Sequence, residues 1–159
     1  MSETRFAMEG KLLFAQSADG TVLDISKARL RPVDAVLVIL GTPTEGYKPE
    51  GDAPTLNNNT GIREAALVLV KDHMGKYSLI RDPLYLDKCV VSRVQQAQEE
   101  GIEVRSVMSE ENYYFQGESR EDTIRWLRQL QYHAQGLGAW RQRRNAVPNI
   151  VVPGVRLRP

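Results

Sequence analysis

Eight arginines and no lysine fall between residues 119 and 159, against only two acids, Glu121 and Asp122. That stretch carries net +6, the preceding 118 residues net −5, and the whole chain +1. A guanidinium group is planar, permanently charged and forked, so it meets carboxylate or phosphate oxygens two at a time. An arginine-only basic end on an acidic body predicts a contact surface for an anionic or carboxylate-rich partner. Arg125, Arg128 and Tyr132 fall on one side of a helical pattern, and Arg141, Arg143 and Arg144 follow at its end. These six are the candidate partner-binding residues. Arginine beside Tyr and Trp is also what phosphate contact with base stacking needs, so nucleic acid competes with protein as the partner. The near-neutral whole chain favours an acidic protein.

Other chemistry is thinner. Asp82, followed by Glu103-Val104-Arg105 on an alternating segment, resembles the pattern of metal-dependent nucleases, an Asp and then an acid-x-Lys on a strand. That resemblance implies a magnesium ion held by Asp82 and Glu103, with the cation steadying the attacking water. Arg105 stands where the pattern has lysine, and a predicted helix separates the two parts. The competing enzyme reading places a site at the mouth of residues 41–61, drawing on Asp52, Asp72, Asp82 or Glu103. His73, His133 and Cys89 share no short motif, so neither a zinc site nor a Cys/His nucleophile has local support. The 41–61 stretch contains no phosphate-loop or dinucleotide fingerprint. No catalytic set, metal or cofactor is assigned, and binding is favoured over catalysis.

The aromatic run Tyr113-Tyr114-Phe115 could stack single-stranded bases if it faced solvent. A strand would instead put Tyr113 and Phe115 in the core and Tyr114 at the rim. Residues 111–117, Glu-Asn-Tyr-Tyr-Phe-Gln-Gly, also resemble the recognition sequence of a potyviral protease, with Tyr113 where that sequence normally carries Leu. The segment runs on into a helix cap, which favours a native strand.

These residues must be positioned by a chain of 159 residues, 42% hydrophobic and 26% charged. That length and balance fit one soluble domain able to bury its own core. One cysteine excludes an intramolecular disulfide. There is no signal-like N-terminus, and the apolar runs at 35–40 and 65–70 are too short to span a bilayer, so the expected address is cytoplasmic and no membrane partner is expected.

Two apolar runs around Asp19-Gly20 predict a hairpin. Residues 35–40 are consecutively apolar and half β-branched, which predicts an interior strand buried on both faces, with Val36, Val38 and Leu40 in the core. Residues 41–61, rich in Gly, Pro and Asn, read as a long mobile surface loop. Residues 65–70 and 77–80, around Gly75, predict a second hairpin that includes Leu67 and Leu69 in the core. Asp82-Pro83 reads as a helix start, with Leu86, Cys89 or Val90, Val94 and Ala97 as its stripe and Gly101 as its stop. Residues 102–107 alternate and read as a strand, with 112–116 pairing back on it. Ser119-Arg120-Glu121-Asp122 resembles a capping box opening a long helix. Trp126, Leu130, His133, Leu137 and Trp140 form one seam at heptad spacing.

The expected fold is therefore α+β, a mixed, mostly antiparallel sheet with two helices packed on one face. Residues 1–146 form the domain, and 147–159 are an extended Pro-containing tail.

Overall fold

The computed structural model describes residues 3–17, 29–50, 60–96, 99–109 and 111–137. Within them the chain forms eight strands and one helix. The strands are β1 (Thr4–Ser17), β2 (Arg31–Gly41), β3 (Ile62–His73), β4 (Lys76–Leu79), β5 (Leu84–Tyr85), β6 (Cys89–Gln96), β7 (Glu99–Ser106) and β8 (Asn112–Gln116). A single 3₁₀ turn at Leu86–Lys88 joins β5 to β6, and α1 (Arg120–Leu137) follows β8. Every strand pairing is antiparallel. The spatial order is β4-β3-β2-β1-β8-β7-β6, with β5 paired to β3.

The helix packs on β3 near one end of that order, on β6 and β7 at the other, and on the 3₁₀ turn. The sheet therefore curls around α1 and gains an inner and an outer face. Alternation assigns side chains to each face. Val33, Ala35, Leu37 and Ile39 of β2 point inward and are buried. They meet Leu12 and Phe14 of β1, Ala65, Leu67 and Leu69 of β3, Ile102 and Val104 of β7, and Tyr113 and Phe115 of β8. Trp126, Leu127, Leu130 and Ala134 of α1 close this core.

β2 is interior, between β1 and β3, as its apolar run predicts. The expected burial of both its faces is corrected: Val36, Val38 and Leu40 point outward and are only half-buried. Of the five predicted core residues, Leu67 and Leu69 are fully buried. The β3–β4 hairpin forms where Gly75 indicated it. Met74 and Gly75 both have positive φ, 57° and 86°, which makes a two-residue turn whose twist suits a hairpin.

The expected fold class needs two corrections. Among the described residues the sheet is wholly antiparallel, and only one helix packs on it. The predicted second helix, from Asp82 to Gly101, is instead β5, the 3₁₀ turn, β6 and the start of β7. Cys89, Val90, Val91 and Val94 satisfy a helical stripe only loosely. At period two, Cys89 and Val91 face the core, and the β-branched valines suit the pleat. Gly101 is no helix stop. It lies in β7 beneath the ring of Tyr114, and a Cβ there would come within 2.2 Å of that ring. The expected Asp19-Gly20 hairpin turn and the tail 147–159 lie outside the described residues.

Candidate partner-binding site

The start of α1 is fixed by its own cap. The Ser119 hydroxyl accepts the Asp122 N–H at 3.0 Å, and the Asp122 carboxylate accepts the Glu118 N–H at 3.2 Å. The Thr123 hydroxyl donates to the Ser119 carbonyl at 2.9 Å and accepts the Gly117 N–H at 2.8 Å. This locks β8 to α1 and sets the rotation of the helix. Trp126, Leu130 and His133 then face inward, and Leu137 packs partly on the core, as the heptad seam predicts. Trp140 lies outside the described residues.

One flank of α1 is covered by the chain after β2. The Tyr132 hydroxyl donates to the Gly46 carbonyl at 3.2 Å and accepts the Lys48 N–H at 2.7 Å. Gln129 donates to Glu50 at 2.9 Å. His133 Nδ1 lies 2.7 Å from the Gln129 carbonyl, which can only accept, so Nδ1 carries the proton. Nε2 therefore accepts from the Tyr47 hydroxyl at 2.7 Å. Burial pushes the His133 pKa below its ordinary value, and burial, then Tyr132, pushes Tyr47 up to about 12. The pair is thus neutral imidazole and neutral phenol. Residues 42–50 are accordingly pinned to the helix, contrary to the expected mobile loop. At the loop's neck, Gly41 and Gly61 approach too closely to admit a Cβ. Residues 51–59 lie outside the described residues.

The other flank of α1 lies along β6. Gln131 Nε2 donates to the Val91 carbonyl at 3.3 Å. The Val107 N–H donates to the Lys88 carbonyl at 2.9 Å, which makes 88 and 107 a hydrogen-bonded pair. Alternation then points the main chain of Val90, Ser92 and Val94 at β7, and that of Cys89, Val91, Arg93 and Gln95 away from the sheet. The Cys89 N–H is taken by the Leu86 carbonyl. Among the described residues no other strand pairs with this edge, and nothing takes the main-chain groups of Arg93 and Gln95. β6 is thus an open edge beside a helix, with Gln131 closing only one carbonyl. Ile124 and Arg128 lie on the same side of α1 as Gln131, at helical spacing.

Charge around this edge is largely paired. Glu100, buried on β7, holds Arg93 in a close ion pair and Arg120 at 3.0 Å. Arg125 lies 3.5 Å from Asp122. Arg128 is exposed, and no ion pair holds it among the described residues. A polar cleft of about 250 Å³ opens between the β6–β7 end and the start of α1, lined by Gln95, Glu99, Gln116 and Arg120 among others.

The candidate residues thus separate. Arg125 and Arg128 are together on the exposed side of α1. Tyr132 is buried against residues 46–48 and cannot present a ring to solvent. Arg141, Arg143 and Arg144 lie outside the described residues. Tyr113 and Phe115 are in the core, and Tyr114 is buried too, so no aromatic of β8 is available for stacking. Residues 112–116 are the central strand between β1 and β7, an integral part of the sheet.

Asp82 sits in the turn before β5, on the β3 side of the sheet. Glu103 lies on the outer side of β7, between Ser92 and Tyr114. Among the described residues no group of three His, Cys, Asp or Glu could hold a metal ion. Cys89 is buried and forms no disulfide, and His73 is exposed at the β3–β4 hairpin. No described helix is long and apolar enough to cross a membrane. Sequence reasoning missed the β6 edge because it placed a helix there; the signal that could have found it is the period-two burial of Cys89 and Val91. No protein-family model matches the chain, and a search of the curated proteins finds no match either.

Proposed function

We propose that the protein is a non-enzymatic binding module that takes an extended segment of a protein partner along β6, beside α1. The observation that carries this reading is the open edge at Arg93 and Gln95. An incoming strand would gain main-chain hydrogen bonds there, the mode in which backbone supplies affinity and flanking side chains supply selectivity. Arg128 and Arg125 would meet a carboxylate on that segment, and Arg141, Arg143 and Arg144 would extend the basic side in chain order. A bidentate guanidinium contact favours acidic residues at defined positions. Base stacking has no support, because the tyrosines it would need are buried.

The test is partner capture from the native host with nuclease present, comparing the wild type with Arg93→Pro and with R125E/R128E. Proline removes an edge donor without touching the β6–β7 ladder, since the Arg93 N–H points outward. Partner recovery should fall in both variants. The melting temperature should hold in R125E/R128E and drop in Arg93→Pro, which also strips buried Glu100 of one ion-pair partner. Arg93→Ala loses the ion pair but keeps the edge N–H, so it is the control that should retain capture. Protection of the Arg93 and Gln95 amides from exchange in the complex identifies strand addition directly. Undiminished capture by Arg93→Pro defeats the reading. Loss of capture on nuclease treatment alone points to nucleic acid instead.

A further inference from the structure

The outer face of β1, β2, β3 and β5 carries an apolar row with nothing packed over it among the described residues. Phe6 is directly opposite Val38, Val38 opposite Ala66, and Ala66 opposite Tyr85. Directly opposed residues share a face, so these four form one line across four strands. The next line, toward β4, holds Val36 and Val68, and beyond it Val70 and Leu79. The ends of the patch are strongly exposed: Phe6 66%, Tyr85 46%, Leu79 57% and Tyr77 70%. Scattered surface apolar residues are ordinary, whereas a contiguous patch with aromatic ends marks a docking surface. The charged side chains on this face are Glu9, Asp34, Glu64 and Asp72 against Lys11 alone. Lys11 is already paired with Asp34 at 2.9 Å.

We infer that the occupant of this face is the chain's own segment 147–159. That segment holds Val147, Ile150, Val151, Val152, Val155 and Leu157, with Arg156 and Arg158 and no acid. Its apolar run matches the Phe6–Tyr85 row, and its cations match Glu9 and Glu64 at the patch margins. The reach is sufficient. Helix α1 ends at Leu137, which lines a small cavity with Thr60 and Ile62, at the end of the sheet where Leu40 and Glu64 lie. Ile150 lies thirteen positions after Leu137, a span that extended chain could stretch to about 40 Å at about 3.3 Å per residue. Crossing from β1 to β3 needs only about 10 Å at the usual strand spacing. Tethering decides between this segment and a second copy. A linked segment meets its site at an effective concentration on the order of millimolar, far above that of a protein at micromolar concentration. This inference does not depend on the β6 reading, since the two surfaces belong to different faces.

The full-length protein tests it by photo-crosslinking. Phe6 is replaced by benzoylphenylalanine, a change its exposure tolerates, with circular dichroism checking the fold. The same probe at Leu79 gives an independent second site, and a probe at Arg125 serves as the control. The expected result is a product of monomer mass joining Phe6 or Leu79 to peptides within 147–159, severalfold above the control. I150D/V151D/V152D should abolish it, and R156E/R158E should reduce it. Products of dimer mass would assign the face to a second copy and overturn the inference. Products mapping to another segment, or none at 147–159 from either probe, would overturn it equally.

Discussion

Two faces of β2 carry nearly the same hydrophobicity and meet opposite fates. Val33, Ala35, Leu37 and Ile39 lie under α1 and are buried; Val36, Val38 and Leu40 look outward and keep partial contact with water. The difference is not in residue type. It comes from where the one helix lies. The Trp126 ring lies over Gly10 of β1, and the cap at Ser119 sets which side of α1 turns toward the sheet. Among the described residues one helix covers one apolar face of the sheet and leaves the other to solvent or to something else. The covered face explains stability, and the uncovered one is where an interaction can form without disturbing the fold.

The contrast can be broken most directly by truncating adjacent residues on opposite faces. Leu37→Ala should cost about 2–5 kcal/mol, because it removes a fully buried side chain and leaves a cavity. Val38→Ala should cost less, roughly 1–2 kcal/mol, since Val38 is only half-buried by the described residues and its remaining cover is the segment 147–159 assigned above. Chemical denaturation of both variants measures the gap. Equal losses would mean that the outer face is as well packed as the inner one. That could happen only if it is covered, and repeating Val38→Ala together with I150D/V151D/V152D would show whether 147–159 is the cover.

A smaller effect tests how the outer face is packed beyond β1, over β8 and β7. Gly101→Val would drive a side chain into the Tyr114 ring, at a cost of roughly 1–3 kcal/mol from overpacking. Tyr114→Ala in the same background should recover part of that cost if the clash is its cause. Without such recovery the Tyr114 ring is not the source of the cost.

These positions also show how far the chain's own residues indicate the fold. The β3–β4 hairpin, β2 as an interior strand, the β7–β8 pairing and the capped helix α1 all follow from local chemistry. The face of β2 does not, because six consecutive apolar residues carry no alternation to choose between Leu37 and Val38. The stretch from Asp82 to Gly101 fails for a different reason. Pro83 and Asp82 suit a helix start and a turn before a strand equally well, and Cys89-Val90-Val91 is too short to fix a period. The deciding interactions, Ala66 with Tyr85 and Val91 with Val104, are non-local. Of the candidate partner-binding residues, Arg125 and Arg128 were legible as an exposed pair. Tyr132 was not, because the groups that bury it, Gly46 and Lys48, lie more than eighty positions away.

The buried His133 joins the covered face to acidity. Its pKa is lowered in the folded protein, while the unfolded chain has the ordinary value of about 6.5. Below that value the unfolded state binds the proton more readily than the folded one, so stability falls as pH drops through about 6.5 toward the depressed folded pKa. Tyr47, Tyr132 and the Gln129 carbonyl surround the ring, and none of them carries a countercharge. Thermal melts between about pH 7 and about pH 5 should show this slope, and His133→Gln should flatten it. Tyr47→Phe should cost about 1 kcal/mol near neutrality, the net worth of one hydrogen bond. Amide exchange in residues 42–50 should rise with it, since that bond helps to pin the segment to α1.

The smallest expected change lies on the exposed side of α1. Arg125 has only the i,i+3 partner Asp122, and Arg128 has no ion pair among the described residues. Exposed pairs of this kind contribute about 0–1 kcal/mol, so R125E/R128E should leave the denaturation midpoint almost unchanged. Reversal also places two more acids near Glu121 and Asp122, a repulsion that salt screens beyond about 10 Å at 0.1 M. Any residual loss should therefore shrink as ionic strength rises. Leu37→Ala, a change in burial rather than charge, should show no such recovery. A large loss in R125E/R128E that persists at high salt would show these arginines holding the fold, and they could then no longer be assigned to a partner.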